Sequence, residues 1–415
     1  MAGTVHRVDG RIGGRDHFTD FDLDSREFSD NFDAVVDAVH AGCPVARSQA
    51  KGGYWVVTGF DEIRRVAQDW ETFSNAEGYE PNRAGDDNAR LYPLEIDPPY
   101  QTRWRAHLGE YFSPRSIRKN TDSIRGDVNH LLDGFIEEGR CDWVDRFAAH
   151  LPGRVFFSTM LGVPVADLPF LQQAADDAIR GPFEGRQEGW NRVGTYLDDY
   201  LRLRSEEPPR GDFVDAILAG VQTDDGEPAP WQHKVFVMVD MLAGGLTTTT
   251  FLLTGLVHFL ATHPEDRARL ADDPALRPNA VEEVVRYYAS ILALGRTATR
   301  DTEIAGQPIK RGEMVMLAYS AAARDPRVFS DPHTIDIDRR ISTNIAFGYG
   351  PHRCIGSHLA RLQAQVTLDE VLRRLPDLRL AEGAAPFYTH STVTRDLNDL
   401  IIEFTPGVRE KEGKS

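Results

Sequence analysis

The stretch Phe347-Gly348-Tyr349-Gly350-Pro351-His352-Arg353-Cys354-Ile355-Gly356 decides how this chain of 415 residues is interpreted. Its glycines allow the backbone to pass close to a flat object. The segment from Ser357 to Leu375 has a helical pattern, so its positive end and free N–H groups point back at the Cys354 sulfur. Such surroundings favour a thiolate, the form of cysteine that ligates metal. The stretch therefore predicts a loop that carries a metal-binding cysteine.

The cysteine count narrows the choice of metal. A single thiolate without a neighbouring cysteine suits haem iron better than zinc or an iron–sulfur cluster, since those sites use several ligating residues. Cys43, Cys141 and Cys354 are widely spaced and odd in number, which predicts no disulfide framework and fits a reducing cytosol. A buried structural cysteine behind a glycine turn would give the same local pattern. The loop alone leaves both alternatives open.

The overall composition is that of an acidic chain with ample apolar residues. The net charge of −17 argues against nucleic acid as a partner, and the 41% hydrophobic content suffices for a deep core. No Ser/Gly run, repeat or low-complexity block divides the chain. Residues 1–20 are polar and Gly-rich, without an apolar signal core or anchor. We expect a single cytoplasmic domain that does not bind a membrane.

The longest apolar helical pattern runs from Trp231 to His263, between Pro230 and Pro264. It is long enough to resemble a membrane span. Asp240, a Gly-Gly pair and a run of four threonines lie in its middle, and the flanks carry no topology signal. The pattern therefore predicts a buried core helix.

The centre of this helix, Ala243-Gly244-Gly245-Leu246-Thr247-Thr248, is a poor helix sequence. Each glycine costs about 1 kcal/mol relative to alanine, so the small residues need a reason. They allow a ligand to approach the backbone, and a threonine hydroxyl can bond a carbonyl of the preceding turn. Close packing against another helix is the alternative interpretation.

The cysteine loop and the central helix together resemble those of the cytochrome P450 superfamily. The loop has the family's haem-binding residues at Phe347, Gly350, His352, Cys354 and Gly356, and the resemblance extends over nearly the whole chain. It implies a mainly α fold with a smaller β-rich part, in one large haem domain. We expect that domain over residues 21–408, a flexible segment at 1–20 and a polar tail at 409–415.

The resemblance implies haem b as the cofactor, with the Cys354 thiolate as the iron ligand. The stretch Asp97-Pro98-Pro99 resembles the opening of a family helix that faces the haem propionates. Further haem contacts are expected from matching motif positions. The residues so implied are His352, Arg296, Arg105 and Gln101 for the propionates, and Phe347, Gly348, Gly356 and Gly244 for the ring.

On the side of the haem opposite the cysteine, the resemblance assigns Thr248 to the hydroxyl that hydrogen-bonds dioxygen and helps deliver protons. The residue before it, Thr247, stands where the family usually has Asp or Glu. A hydroxyl can pass a proton along a water chain but cannot store one as a carboxylate can. Asp240, on the same helical stripe, is a candidate proton relay or a hydrogen-bond partner for polar substrate. A purely structural aspartate is a further interpretation.

A second motif concerns stability. Glu283-Val284-Val285-Arg286 places an acid and a base three residues apart on one helical face. It resembles the family's Glu-x-x-Arg pair, which implies a buried network with Arg339 as the third partner. Loss of one member would leave an unpaired buried charge, at a cost of roughly 3–5 kcal/mol.

Substrate contacts follow only from the resemblance. They fall in four stretches, and the residues are Leu91, Leu94, Asp240, Ala243, Gly244, Leu292, Ala293, Leu294, Thr392 and Val393. Most are apolar or small, which favours a compact, mostly apolar molecule such as a terpenoid, a steroid or an aromatic. Residues from Gln172 to Phe183 are expected in a mobile lid.

The resemblance also implies dioxygen and a separate ferredoxin with its reductase, and we expect a monomer. A basic patch of Arg64, Arg65, Arg105, Arg353 and Arg361 would attract an acidic ferredoxin. Two alternatives stay open: a peroxide-driven enzyme, suggested by the missing acid at Thr247, and a haem-binding sensor without turnover. The retained Thr248 argues against both.

Overall fold

The computed structural model describes residues 11–12, 15–81, 90–179 and 183–410. Parts of three predicted segments lie outside the described residues: 1–10 and 13–14 of the N-terminal segment, 180–182 of the lid, and 411–415 of the C-terminal tail. Within the predicted N-terminal segment, Arg11–Ile12 pairs antiparallel with Arg15–Asp16.

Helices dominate the described residues. The α-helices are α1 (Arg26–Asp30), α2 (Phe32–Ala41), α3 (Phe60–Gln68), α4 (Tyr100–Gly109), α5 (Pro114–Arg118), α6 (Thr121–Asp133), α7 (Leu151–Arg154), α8 (Leu168–Ile179), α9 (Phe183–Glu206), α10 (Phe213–Ala219), α11 (Trp231–Thr262), α12 (Pro264–Asp272), α13 (Arg277–Tyr288), α14 (Tyr319–Ala322) and α15 (Ser357–Arg374). Two π-helical turns cover Val144–Ala148 and Val155–Met160. Single 3₁₀ turns cover Ala50–Gly52, Val165–Asp167, Pro274–Leu276, Ile345–Phe347 and Gly350–His352.

The strands are short and form a minor part. They are β1 (Arg11–Ile12), β2 (Arg15–Asp16), β3 (Val45–Ser48), β4 (Tyr54–Val57), β5 (Phe73–Ser74), β6 (Arg140–Asp142), β7 (Leu294–Ala298), β8 (Thr302–Ile304), β9 (Gln307–Ile309), β10 (Met314–Leu317), β11 (Arg379–Leu380), β12 (Phe387–His390), β13 (Arg395–Asn398) and β14 (Ile401–Glu403). The largest sheet has the order β3-β4-β10-β7-β5, and a smaller one has the order β11-β14-β6. Strands β12 and β13 form a hairpin. The predicted mainly α fold with a smaller β-rich part is confirmed.

Helix α11 is the central element, and it runs unbroken from Trp231 to Thr262 after Pro230. It is long and apolar enough to cross a membrane, yet 61% of its most apolar window is buried inside the protein. Side chains such as Leu253 and Leu256 are fully buried in the largest apolar cluster. Each buried leucine contributes about 1.5–3 kcal/mol relative to exposure, which outweighs the cost of the two glycines. The prediction of a buried core helix is confirmed.

Helix packing around α11 fixes the positions of the elements that carry the site. Helices α7, α9, α13 and α15 all contact it, and the β13 strand lies against it as well. Trp143 stacks on Phe147 with ring centroids 4.1 Å apart, and its indole N–H donates to the Leu253 carbonyl on α11 at 3.2 Å. The centre of α11 is thereby held opposite the segment that precedes α15.

Candidate active site

A cavity of about 920 Å³ lies between α11 and residues 347–356, which we call the cysteine loop. The loop contributes Phe347, His352 and Cys354 to its wall, and α11 contributes Gly244 and Thr248. Two segments that are distant in sequence therefore face the same space, as the sequence predicts.

The cysteine loop is shaped by glycines in conformations that other residues rarely adopt. Gly348 and Gly350 have φ of +72° and +70°. A Cβ atom on Gly350 would come within 2.2 Å of the Ala67 carbonyl oxygen at the end of α3. The loop is closed by the Cys354 N–H, which donates to the Phe347 carbonyl at 2.8 Å. Close packing against α3 and this internal bond fix the position of the cysteine sulfur.

Cys354 is open to the cavity, and desolvation by the protein atoms packed around it raises the pKa of its thiol above the ordinary value. The backbone N–H of Gly356 and the guanidinium groups of Arg105, Arg361 and Arg353 lower it, but by less. The Gly356 N–H and the three guanidinium groups favour the thiolate, and desolvation opposes it. A bound cation would stabilise the ionised sulfur further.

The rim of the cavity carries donors for carboxylates. His352 is half-buried, and its buried Nε2 atom has no hydrogen-bond partner among the described residues. Burial lowers the pKa of His352 well below its usual value, and the neighbouring Arg296 and Arg105 guanidinium groups lower it further. Arg296 is itself buried, and both arginines line the cavity. An orphaned imidazole nitrogen between two cations fits the two propionates of haem.

Gln101 has a different position from the one expected. Its side chain is buried and does not line the cavity. The Nε2 amide instead donates to the Pro351 carbonyl at 2.7 Å. Gln101 therefore ties α4 to the cysteine loop, and its contact with a propionate stays a prediction.

Two arginines of the predicted basic patch contact aromatic residues of the loop, although the Arg64 side chain remains 40% exposed. Arg361 pairs with Glu282 and lies 4.2 Å from the centroid of the Phe347 ring. Arg64 lies 4.9 Å from the Tyr349 ring and donates to its hydroxyl at 3.2 Å. These contacts brace the aromatic residues of the loop.

The remaining arginines of that patch are more accessible. Arg353 and Arg65 are exposed, and Arg65 donates to the Glu303 carbonyl. Arg105 is half-buried and donates to the Arg353 carbonyl. The positive surface around the loop is therefore smaller than the five arginines suggest.

The α11 wall of the cavity is open by comparison. A Cβ atom on Gly244 or on Gly245 would meet no atom within 4 Å beyond the surrounding helix backbone. The Thr248 hydroxyl donates to the Gly244 carbonyl at 2.8 Å. Ser290 donates in turn to the Thr248 carbonyl at 3.1 Å. The bare helix backbone therefore faces the cavity with a threonine hydroxyl beside it.

Asp240 and Thr247 line the same cavity. Asp240 is buried, and its Oδ2 atom accepts a hydrogen bond from the Leu94 N–H at 3.3 Å. It thus connects α11 to the segment before α4 while one face of the carboxylate borders the cavity. Both a substrate contact and a structural role are compatible with this position.

The cavity wall includes part of the predicted substrate set. Leu91, Leu94, Ala243, Leu294 and Val393 line it. Leu292, Ala293 and Thr392 do not, and those three expectations are wrong. Leu292 and Ala293 turn into the apolar cluster formed by α1, α2 and the large sheet. The Thr392 hydroxyl bonds Asp24 at 2.7 Å and Lys51 at 2.6 Å on the far side of the strand segment.

Several lining residues escaped the sequence analysis. Ile291 and Ser290 line the cavity beside α11, and Thr394 and Asp396 line it from the β13 hairpin. A period of two counted from Val393 selects Arg395, so it would have missed Thr394 and Asp396. Helix α13 ends at Tyr288, and Ala289 has a φ of +29°. This change of backbone direction decides which of residues 290–294 face the cavity, and no local sequence pattern reveals it.

The Glu283–Arg286–Arg339 contact forms as expected. Glu283 Oε1 lies 2.7 Å from Arg286 Nη2 and 3.1 Å from Arg339 Nε, and Glu283 and Arg286 are fully buried. Arg286 also donates to the carbonyls of Ala323, Pro332 and Thr334. The network fastens α13 to the chain that leads into the cysteine loop.

Cys354 faces the Gly244–Thr248 stretch of α11 across the cavity, and donors suited to carboxylates lie at the rim. This arrangement is that of a haem–thiolate protein of the oxygen-activating class. The cytochrome P450 family model matches residues 275–379. The chain is 32% identical to the probable cytochrome P450 127A1 of Sinorhizobium fredii, covering 89% of each chain. It is 30% identical to the steroid C26-monooxygenase of Mycolicibacterium smegmatis, over 89% of this chain and 91% of that protein.

Solved structures agree with these relatives. The crystal structure of CYP101J2 matches with a TM-score of 0.83 and 27% identity, over 94% of this chain and 98% of that one. The chain belongs to the cytochrome P450 family. It is a P450 monooxygenase that binds haem b through a cysteine thiolate.

Proposed function

We propose that Cys354 is the haem ligand and that this enzyme inserts one oxygen atom from dioxygen into a small, mostly apolar organic substrate held against α11. The carrying observation is that Cys354, Thr248 and Asp240 line one cavity. When bound, the haem supplies the oxygen activation and the oxidation of the substrate C–H bond. The protein has the remaining tasks of binding, orienting and proton delivery.

The chain's own residues divide these tasks. His352, Arg296 and Arg105 would hold the haem carboxylates, and the aromatic ring of Phe347 would pack near the cysteine side. The Thr248 hydroxyl, which donates to the Gly244 carbonyl, would be the group available to hydrogen-bond dioxygen and to pass on a proton. The apolar walls exclude water and leave only a few polar groups to orient the substrate.

The substrate class follows from this lining. Leu91, Leu94, Ile291, Leu294 and Val393 supply apolar surface. Asp240 would accept a hydrogen bond from a hydroxyl or amine of the substrate. A terpenoid, a steroid or an aromatic with one polar group fits such a lining, and the steroid C26-monooxygenase relative supports a steroid among these.

Electrons would come from a separate ferredoxin and its reductase in the cytoplasm. The exposed Arg353 and Arg65 lie on the cysteine side of the cavity, and the chain as a whole carries a net charge of −17. A local cationic patch on an acidic protein supports steering of an acidic partner to this side. Replacing Arg353 with glutamine would then lower the association rate and its dependence on salt.

A peroxide-driven reaction on the same fold is the second candidate. The observation that favours it is Thr247, since no carboxyl group precedes Thr248. The presence of Thr248 opposes it. The two functions are separated by measuring product yield with peroxide alone and with ferredoxin and NADH. A peroxide-driven enzyme gives product with peroxide alone, and a monooxygenase needs ferredoxin and NADH.

An optical titration of the ferric enzyme with terpenoids, steroids and aromatics tests the proposal. A shift of the Soret band to shorter wavelength reports displacement of iron-bound water by a ligand. We expect at least one of these classes to produce the shift, and Asp240→Leu to weaken its binding by about 10-fold, a loss of one hydrogen bond in a dry site. Leu292→Val is the matched control, because Leu292 lies outside the cavity and should leave ligand affinity unchanged. No shift with any compound would contradict the proposed substrate class.

A further inference from the structure

Residue 247, directly before Thr248 on α11, carries no carboxyl group. The proposed function, on which this inference rests, consumes two electrons and two protons with each dioxygen and substrate C–H bond, and yields an alcohol and water. Thr247 offers a hydroxyl where a proton-storing acid would be useful. A buried carboxyl group elsewhere on the cavity wall could take the place of that acid.

Asp396 on β13 has the required properties. It is only 9% exposed and lines the cavity. Its Oδ2 atom accepts a hydrogen bond from the Thr394 hydroxyl at 2.8 Å. Its Oδ1 atom is buried and has no hydrogen-bond partner among the described residues. One carboxyl oxygen is thus anchored, and the other is left for water or a proton.

Backbone pairing carries this carboxyl group toward Thr248. Thr394 pairs with Ile291 in a β-bridge, and the Arg395 N–H donates to the Ser290 carbonyl at 3.1 Å. The Ser290 hydroxyl donates to the Thr248 carbonyl at 3.1 Å. Because Asp396, Thr394, Ser290 and Thr248 all line one cavity, their hydroxyl and carboxyl groups form a polar track along its wall.

The other end of the track is acidic and leads to solvent. Three acids and an amide line this end of the same cavity, namely Asp142, Asp145, Asp399 and Asn398. We call these four residues the acidic mouth. Asp399 and Asp145 are exposed. Strand β14 pairs with β6, with Ile401 opposite Asp142, which brings Asp399 beside Asp142. Negative charge at a cavity entrance raises the local concentration of hydronium and cations.

The surroundings of Asp396 keep its proton exchangeable near neutrality. Burial raises the pKa of Asp396 to about 8, while hydrogen bonds from Thr394 and Thr389 and the charge of Arg395 lower it. Arg395 itself is directed at the rings of Phe32 and Tyr388, with distances of 4.1 and 3.6 Å to their centroids. On α11, which packs against β13, the cavity-lining residues Phe251 and Leu252 are apolar.

We propose that Asp396 is a proton-relay residue, which takes protons from the acidic mouth and passes them through Thr394, Ser290 and cavity water to Thr248. In each transfer one O–H bond forms at the acceptor as one breaks at the donor, and no electrons move. Asp396 returns to its protonated form by taking the next proton from the mouth. The relay replaces the acid that α11 lacks at Thr247.

The first test measures Asp396 without turnover. A neutral buried carboxyl stabilises the fold at low pH, and that contribution is lost as pH rises from the unfolded pKa through about 8. The melting temperature of ferric holoenzyme should therefore rise for Asp396→Asn relative to wild type as pH increases from about 5 to about 9. Asp272→Asn, at an exposed acid on α12, is the matched control and should show a constant difference. A constant difference for Asp396→Asn would overturn the relay.

The second test measures turnover with a plant-type ferredoxin, its reductase and NADH. Oxygen consumption and peroxide release are followed across the same pH range, so no substrate has to be known. Asp396→Asn should lower oxygen consumption by about 100-fold, at the low end of general acid catalysis, and release more peroxide. It should also lose the fall in rate near pH 8 that we expect of the wild type. Asp396→Glu should recover most of the rate, and Thr394→Val should resemble Asp396→Asn.

The outcomes separate the two proposals. Oxygen consumption by Asp396→Asn that equals the wild type at every pH would overturn the relay and leave the monooxygenase proposal intact. A wild type that consumes no oxygen with this donor system would contradict the ferredoxin-dependent function and the relay with it. If Asp396→Asn does not fold, Thr394→Val decides the question, because it removes the hydroxyl link while leaving the carboxyl group in place.

Discussion

The two walls of the cavity are built in opposite ways. The cysteine loop is tightly constrained: Gly350 lies against the Ala67 carbonyl, and Gln101 and Arg361 bind the loop from α4 and α15. On α11, Gly244 and Gly245 have no neighbouring atom within 4 Å of an added Cβ. The difference corresponds to the two demands on such an enzyme. A metal ligand has to be held in one geometry, while the substrate side must leave room for a molecule that differs between family members.

The same contrast holds for charge. Close to the cysteine side, charged groups are paired: Arg361 with Glu282, and Glu283 with Arg286 and Arg339. On the substrate side, the buried Asp396 keeps one carboxyl oxygen without a partner among the described residues. Paired charges stabilise the scaffold, whereas unpaired polar atoms in a cavity wall mark positions where ligands or protons are exchanged.

Replacing the ligand is expected to have the largest effect. Cys354→Ser removes the only thiol in the cavity wall of the described residues, so the reduced carbon monoxide complex should lose the red-shifted Soret band of thiolate haem. Monooxygenase activity should fall below detection. Cys43→Ser is the control, since Cys43 is half-buried outside the cavity and should leave the spectrum unchanged. A normal spectrum for Cys354→Ser would show that another residue binds the iron.

The next largest effect concerns the buried charges behind the loop. Glu283→Gln leaves two buried guanidinium groups without their carboxylate, and should lower the free energy of unfolding by about 3–5 kcal/mol in urea titrations. Asp30→Asn, in the exposed Arg26–Asp30 pair, is the matched control and should cost no more than about 1 kcal/mol. Equal losses in the two variants would mean that the Glu283 network is no more important than a surface pair.

The sequence predicted one side of this comparison better than the other. The cysteine loop, α11 and the Glu283–Arg286–Arg339 contact depend on motifs in which residue types and spacing are set by local geometry. Glycines with positive φ and an i,i+3 ion pair can be identified from the sequence alone. The thiol pKa could not be judged in the same way, because desolvation depends on atoms from several elements.

The substrate side depends on contacts between distant segments. Thr392 turns away from the cavity because Lys51 and Asp24 bind its hydroxyl, and those residues are more than three hundred positions away in the chain. Leu292 and Ala293 turn away because the break at Ala289 changes the facing of the following residues. Asp396 reaches the wall of the cavity that Thr248 also lines through the pairing of residues 290–292 with 393–395. None of these contacts leaves a local pattern in the sequence.

A methyl group on the constrained wall should have an intermediate effect. Gly350→Ala places a side chain at φ of +70° and within 2.2 Å of the Ala67 carbonyl oxygen. The backbone strain alone should cost about 1–3 kcal/mol, and relief of the clash requires the loop to move from α3. We expect a lower melting temperature and partial loss of haem on purification. Full haem content with unchanged stability would mean that the loop is not held by this contact.

The same methyl group on the open wall should have the smallest effect on the fold, and of opposite sign. Gly244→Ala meets no atom within 4 Å of its Cβ, and alanine is favoured over glycine within a helix by about 1 kcal/mol, so the protein should become slightly more stable. The methyl group projects into the cavity, so the affinity for a bulky ligand in the Soret titration should fall while that for a small ligand changes little. If Gly244→Ala destabilises the protein as much as Gly350→Ala does, the α11 wall is packed as tightly as the cysteine loop, and the contrast between the two walls fails.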